Sequence, residues 1–361
     1  MENDRMSRII LVLLLACVPR LVQADESFHV YAPSSTTNTL WVVEAKPTDD
    51  RLTLEVAERV DLGFVARIIT QHPEKPLLYI AGAGGKGAVV TLDDKGAYEK
   101  HESIELKGNY SYISLDRDNR FLMGASYSGG QVDIYKLDDK GMLGDRVTAL
   151  DEDKLFAHCV LPSPDNKFLY IPYVKENNAI YQYRFDAESG KAEPLEPLNA
   201  NPPEGTGPRH LVYHPEKPIV YFSNEQQLGI SSYDIGDTGQ LKLRQVVEGV
   251  GEGESTENAS ASDLVITPDG KYLFSGIRSL KGEFDQIARY QVDDSGDLKR
   301  LGHAKADKVP WGLALSPNGK YLLVTAFAGS TLTAYKIGDD GELSVVASRN
   351  WDEKISDLIA R

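Results

Sequence analysis

Cysteine is scarce: the 361-residue chain has only Cys17 and Cys159. Two thiols cannot build a disulfide framework or a Cys-rich zinc site. Positive charge is also short, with 39 Lys and Arg against 54 Asp and Glu, a formal net charge of −15 and a pI near 5.0. Such a balance excludes non-specific nucleic-acid binding, which needs a positive surface. Sustained helical periodicity is missing, which disfavours helical solenoids. The sequence contains no Gly-rich phosphate loop between a strand and a helix, and no Gly-x-Ser-x-Gly nucleophile elbow. Disorder is excluded as well, since 41% of residues are hydrophobic and only 26% charged. What is abundant is glycine (31), proline (18) and tyrosine (18), the composition of strands and tight turns.

The one long apolar run comes first. Arg5 and Arg8 precede residues 9–18, IILVLLLACV, and a stretch ending Val22-Gln23-Ala24 follows. Basic, apolar and small-residue segments in that order read as a secretory signal over residues 1–24, leaving residues 25–361 as a single mature domain. The run is too short to span a bilayer comfortably. An alternative cut uses Leu14-Leu15-Ala16-Cys17, which resembles a lipoprotein box with Cys17 lipidated. Either cut predicts a periplasmic or secreted protein with no transmembrane segment in the mature chain. Cleavage after Ala24 would leave that chain one unit more acidic and with Cys159 alone, so packing rather than disulfides must stabilise it.

A turn, a basic residue and an apolar strand recur along the chain. The copies are HPEKPLLYIAG from His72, DRDNRFLMGAS from Asp116, SPDNKFLYIPY from Ser163, HPEKPIVYFSN from His214, TPDGKYLFSGI from Thr267 and SPNGKYLLVTA from Ser316. Their second residues, Pro73, Arg117, Pro164, Pro215, Pro268 and Pro317, are spaced by 44, 47, 51, 53 and 49. That period signals a repeat architecture. Each unit holds four strand-like runs, in the first copy residues 64–71, 77–82, 88–93 and 98–106. Four strands per 40–50 residues make a propeller blade. Residues 29–60 look like the outer part of another blade without its inner strand, and residues 354–360, KISDLIA, resemble the inner strand ASDLVI at 261–266. The expectation is an all-β, seven-bladed propeller of four-stranded antiparallel blades, closed by a C-terminal strand that completes the first blade and removes its free edge.

The repeat also predicts a site. In each blade the start of the first strand and the end of the second share one end of the ring. Six residues before each anchor stand Arg67, Ser111, His158, Arg209, Ser262 and Trp311; five before stand Ile68, Tyr112, Cys159, His210, Asp263 and Gly312; ten after stand Ala83, Tyr127, Val174, Glu225, Arg278 and Phe327. An acidic protein thus gathers Arg67, His158, Arg209, His210, Glu225, Asp263 and Arg278 at one mouth, the pattern of a binding site. Arg209 and Glu225 also read as an inter-strand ion pair, and Asp263 as a turn cap. His72 and His214, beside prolines, read as turn residues. Cys159 follows His158 on a strand and should face away from it, so the two are not a catalytic pair. Acidic turns such as Asp93-Asp94-Lys95-Gly96 lack the closing Glu of a calcium hand and read as hairpin turns. Residues 251–262 read as a flexible loop near the mouth. No metal ligand spacing and no cofactor motif is found.

Gly207-Pro208-Arg209-His210 with His214-Pro215, then Ser223-Asn224-Glu225, resembles the lactonase propeller family. Its members include bacterial propeller-type 6-phosphogluconolactonases and a fungal carboxy-muconate cyclase. The resemblance continues through Ala261-Ser262-Asp263 and Pro310-Trp311-Gly312 and covers nearly the whole mature chain. It implies a seven-bladed fold and a site of one His, two Arg and a Glu, falling on His158, Arg209, Arg278 and Glu225, with His210 and Asp263 also at family positions. The implied activity is hydrolysis of a sugar lactone, with no cofactor. His158 or Glu225 would be general base, the two Arg would bind the oxyanion or the product carboxylate, and His210 and Asp263 would bind substrate; the register alone adds Arg67, for a second anionic group, with Tyr127 and Trp311 as further substrate contacts. Tyr112 stands where the family often has His, Trp311 where it often has Arg, and Ile277 where Asn or Asp precedes the second Arg. Two other readings are carried: a cycloisomerase closing an unsaturated dicarboxylate, and a non-catalytic propeller binding carbohydrate or protein.

Overall fold

The computed structural model describes residues 27–48, 51–254, 256–279 and 285–361. The export segment expected over 1–24 lies outside them. Among the described residues no helix is long and apolar enough to cross a membrane.

Seven four-stranded antiparallel sheets follow one another along the chain. Blade 1 combines Phe28–Pro33, Thr39–Pro47 and Leu52–Asp61 with the C-terminal Ile359–Ala360, which pairs beside Phe28–Pro33 as the innermost strand. Blades 2 to 7 begin at Ala66, Tyr112, Leu161, Pro208, Ala259 and Pro310. Both the blade count and the closure expected from the repeats are therefore present. The strands of blade 2, Ala66–Gln71, Leu77–Gly82, Lys86–Leu92 and Tyr98–Glu105, fall within two residues of those read from sequence. Residues 259–262, expected in a loop, instead begin the inner strand Ala259–Ile266 of blade 6.

Most second strands are buried from end to end, as in Leu77–Gly82, Phe168–Tyr173 and Ile219–Asn224, whereas the outer strand Tyr98–Glu105 faces solvent. Apolar residues of adjacent blades interleave in seven clusters, so the core is a ring of blade interfaces rather than one centre. The abundant tyrosines span these interfaces. Tyr79 Oη donates to Gly141 O at 2.8 Å, Tyr170 to Gly239 O at 2.8 Å and Tyr221 to Gly296 O at 2.7 Å, each from one blade to a turn of the next. The turns at Gly141 and Gly296 are acidic turns of the same kind as Asp93-Asp94-Lys95-Gly96. Asp93 Oδ1 accepts the N–H groups of Lys95 and Ala97, and Asp138 those of Lys140 and Met142. The turn glycine that follows has φ of +84° at Gly141 and +90° at Gly296, the left-handed region where a side chain is strained.

The repeat turn has its own rule. The residue before each anchor supplies a side-chain acceptor to its turn. His72 Nδ1 takes N–H groups of Glu74 and Lys75, His214 Nδ1 those of Glu216 and Lys217, and Asp116 Oδ1 those of Arg120 and Phe121. Ser163, Thr267 and Ser316 each accept the N–H five residues on. His72 and His214 are turn residues, as expected. At the seam, His29 and Arg361 exchange both backbone hydrogen bonds at 2.8 Å, and Glu353 accepts from Trp41 Nε1 at 2.9 Å.

Candidate active site

At the hairpin ends opposite those turns lies a cavity of about 440 Å³. All nine residues singled out from the sequence line it: Arg67, Tyr127, His158, Arg209, His210, Glu225, Asp263, Arg278 and Trp311. They arrive from blades 2 to 7. Strict strand alternation would turn Arg209 and His210 to opposite faces. Both nevertheless reach the cavity, because blade 5 slips register between Pro208 and Leu211. Blades 2, 6 and 7 slip at the corresponding place, between Ala66 and Ile68, Ala261 and Leu264, and Pro310 and Gly312. A bulge re-aims side chains in this way at the rim of a sheet. The Gly-Pro-Arg-His motif has a local cause too. Gly207 sits at φ +59° and its N–H donates to Asn178 Oδ1 at 2.7 Å, a turn that delivers Arg209 inward.

The polar groups form a chain. Arg209, 1% exposed, pairs through Nε with Glu225 Oε2 at 3.2 Å, and Arg278 Nη2 approaches the same oxygen at 4.0 Å. Arg209 Nη1 donates to His210 Nε2 at 3.2 Å, and His210 Nδ1 donates to Asp263 Oδ1 at 2.8 Å. His210 thus spends both nitrogens on neighbours, as a neutral imidazole. Asp263 Oδ2 accepts the Leu313 N–H of the next blade at 3.0 Å. The ion pair read from sequence is therefore present, inside the cavity, whereas Asp263, read as a turn cap, instead accepts from the strand residues Leu264 and Leu313 and from His210. His158 is different: its ring packs edge-on against His210 and Tyr127, and its Nδ1 is buried without a hydrogen-bond partner among the described residues. The same holds for Arg278 Nη1, while Arg278 Nε donates to Ser260 Oγ at 2.9 Å. Aromatic rings line the walls. Arg278 lies 3.8 Å over Trp311, which packs on Phe327, and Tyr127 packs on Phe156.

Burial and the Arg209 charge hold His158 well below the usual imidazole range, and His210 likewise. Both are neutral at pH 7. Burial and the neighbouring Arg209 lower Arg278 to about 9, still a cation at neutral pH. Burial raises Asp263 to about 6. Cys159 is fully buried away from the cavity and its thiol is raised by burial, so it is no nucleophile. It does so without the strand alternation used to predict it, because the strand of blade 4 starts only at Leu161.

Five cavity residues lie outside the register, Asn109, Tyr110, Ser128, Ser356 and Asp357, and Asp357 is the carboxyl among them. Asp357, on the closing segment of blade 1, lines the cavity opposite blade 4 and is raised to about 8 by burial, with Asp263 adding to the effect. The C-terminal copy lacks the turn motif that anchored the count, although matching its Ser-Asp-Leu to Ser262-Asp263-Leu264 places Asp357 on Asp263. Tyr112, Tyr110 and Asn109 also line the cavity.

Comparison with known proteins agrees with this architecture. A 6-phosphogluconolactonase of Cronobacter sakazakii is 26% identical over 329 residues, covering 90% of this chain and 94% of that protein. One from Klebsiella pneumoniae is 28% identical over 324 residues, covering 88% and 93%. The solved periplasmic gluconolactonase of Pseudomonas aeruginosa superposes with a TM-score of 0.80 at 21% identity, over 93% of this chain and 99% of that one. The family model described as lactonase, 7-bladed beta-propeller matches residues 29–352, and the chain belongs to that family.

Proposed function

We propose that the protein opens an aldonolactone by water attack in this cavity, acting as a carboxylic ester hydrolase. The observation that carries the reading is the pairing of a neutral, buried imidazole with an unengaged Nδ1 and two buried guanidinium groups in one chamber. Lactone hydrolysis needs those two things, a proton acceptor for water and fixed donors for the tetrahedral oxyanion. In this reading His158 takes the water proton. Glu225 serves less well, since Arg209 already holds its carboxylate. Arg278 Nη1 and Arg209 donate to the oxyanion, Glu225 fixes the two guanidiniums, and the Asp263–His210 pair orients Arg209. Trp311 and Tyr127 supply aromatic wall to the sugar ring, and Arg67, exposed at the rim, meets any distal anionic group.

The close sequence relatives are named 6-phosphogluconolactonases, which supports a six-carbon aldonolactone. The signal-like residues 1–24, with residues 25–361 as the mature domain, support a periplasmic location and hence an unphosphorylated lactone. The test is acid release by residues 25–361 on gluconolactone, its 6-phosphate and an aliphatic lactone, beside a His158→Ala, Arg209→Ala double variant that supplies the spontaneous rate. Turnover well above the variant on the sugar lactones is expected. Equal rates on every lactone, with the variant folded, would sink the reading and turn attention to dicarboxylate cyclisation.

A further inference from the structure

Asp357 is the cavity's unassigned carboxyl. It occupies the position in blade 1 that Asp263 occupies in blade 6, and the two are held alike. Asp263 Oδ1 accepts Leu264 N–H at 2.9 Å and Oδ2 the Leu313 N–H of the next blade; Asp357 Oδ1 accepts Leu358 N–H at 2.9 Å and Oδ2 the Ile69 N–H of the next blade at 2.8 Å. At the equivalent position the blade between them has Gly312, where a Cβ would stand 3.0 Å from Asp357 Cα, so that position sends no side chain between the two carboxyls. The difference lies in their partners. Asp263 also receives the His210 Nδ1–H, which favours its anion. Among the described residues Asp357 receives backbone donors and no side-chain donor. Facing it are the Asp263 carboxylate, the Arg209 guanidinium, the Tyr112 phenol and, at the rim of blade 2, Arg67. The partly buried position beside the Asp263 anion keeps a proton on Asp357 up to about pH 8. Blade 1 stands across the ring from blade 4, so Asp357 and His158 line opposing walls of one cavity.

We propose that Asp357 is the general acid of the reaction, giving its proton to the ring oxygen as the lactone opens. This rests on the lactonase reading above. The steps balance. His158 takes a proton from water as the water oxygen bonds to the carbonyl carbon, and the carbonyl electron pair moves onto oxygen facing the arginines. When that pair returns, the ring C–O bond breaks and its electrons take the Asp357 proton, leaving a hydroxyl. The proton on His158 then passes through water to the Asp357 carboxylate, restoring both groups. An alkoxide leaving group needs such help, whereas a thiolate, with a conjugate acid near pKa 8.5, does not.

The experiment compares glucono-1,5-lactone with its ring-sulfur analogue, using His158→Ala as the background. Asp357→Asn keeps an oxygen for the Ile69 N–H and removes the acid. Its kcat on the oxygen lactone should fall about 10²-fold with KM within about twofold, while turnover of the thiolactone changes less than about threefold. In the wild-type protein kcat/KM on the oxygen lactone should decline as pH rises through about 8, and the thiolactone should lack that limb. The second measurement needs no variant and decides the matter if Asp357→Asn does not fold. Equal losses on both lactones, or the same alkaline limb on both, would overturn the acid role while leaving lactone hydrolysis intact. A wild-type protein no faster than His158→Ala on either lactone would overturn both proposals.

Discussion

The two ends of each blade hairpin are built from one repeat and do opposite things. At the turn end, six copies of one position carry His, Asp, Ser, His, Thr and Ser, and all six act as acceptors for backbone N–H groups of their own turn. Residue type varies and the task does not. At the mouth the backbone position repeats but the tasks diverge: Arg209 and Glu225 pair, His210 links Arg209 to Asp263, and His158 Nδ1 and Arg278 Nη1 are left without partners among the described residues. A buried donor or acceptor without a partner costs about 1–3 kcal/mol. The fold tolerates that cost where chemistry uses it, and the well-satisfied turn end helps offset it.

Substitutions at the two ends should therefore separate activity from stability. The largest effect is expected for Arg278→Ala, which removes an oxyanion donor and should lower kcat about 10²–10³-fold while leaving the melting temperature close to wild type. His214→Ala, at the turn end, takes the acceptor from two N–H groups and should cost about 1–3 kcal/mol in urea unfolding with kcat unchanged. Tyr221→Phe removes only the hydroxyl that reaches Gly296 O in the next blade, and a loss of about 1 kcal/mol is expected by the same measurement. Arg67→Ala should have the smallest effect, a rise in KM of about tenfold or less for a phosphorylated lactone, weakened by salt, with no change for the unphosphorylated one. A mouth substitution that unfolds the protein with activity per folded molecule intact would break the comparison.

The acids add a pH test with a definite sign. Asp263 and Asp357 have folded pKa values, about 6 and about 8, above the unfolded carboxylate value. The folded state then binds more protons than the unfolded one between that value and pH 8, so their contribution to stability falls as pH rises through the window. Asp357→Asn should flatten this decline, and thermal unfolding between pH 5 and 9 reads it out. A slope identical to wild type would show that Asp357 ionises alike in both states.

Much of this was legible in the sequence because a repeat carries its own ruler. Once Pro73 and its five counterparts were aligned, counting back to Arg209 and forward to Glu225 found residues that meet in space. Asp357 was missed where the ruler ends, since the C-terminal copy has a strand and no turn motif. Alternation alone would have denied that Arg209 and His210 share a cavity, because bulges are set by backbone slippage that no side-chain pattern announces. The acidic turns were recognisable as turns, but their role as landing points for Tyr79 and Tyr221 depends on a partner about one and a half repeats away.

The two-residue closing strand has a consequence for how the protein fails. Ile359–Ala360 holds the first and last parts of the ring together, and Asp357, two residues earlier, forms part of the cavity wall. Fraying of that short seam removes a wall of the site while the other six blades keep their own hydrogen bonds and interfaces. On heating, or under limited proteolysis from the C-terminus, catalytic competence should disappear before the circular dichroism of the sheets does. The seam is a fuse: the ring loses its chemistry first and its shape second.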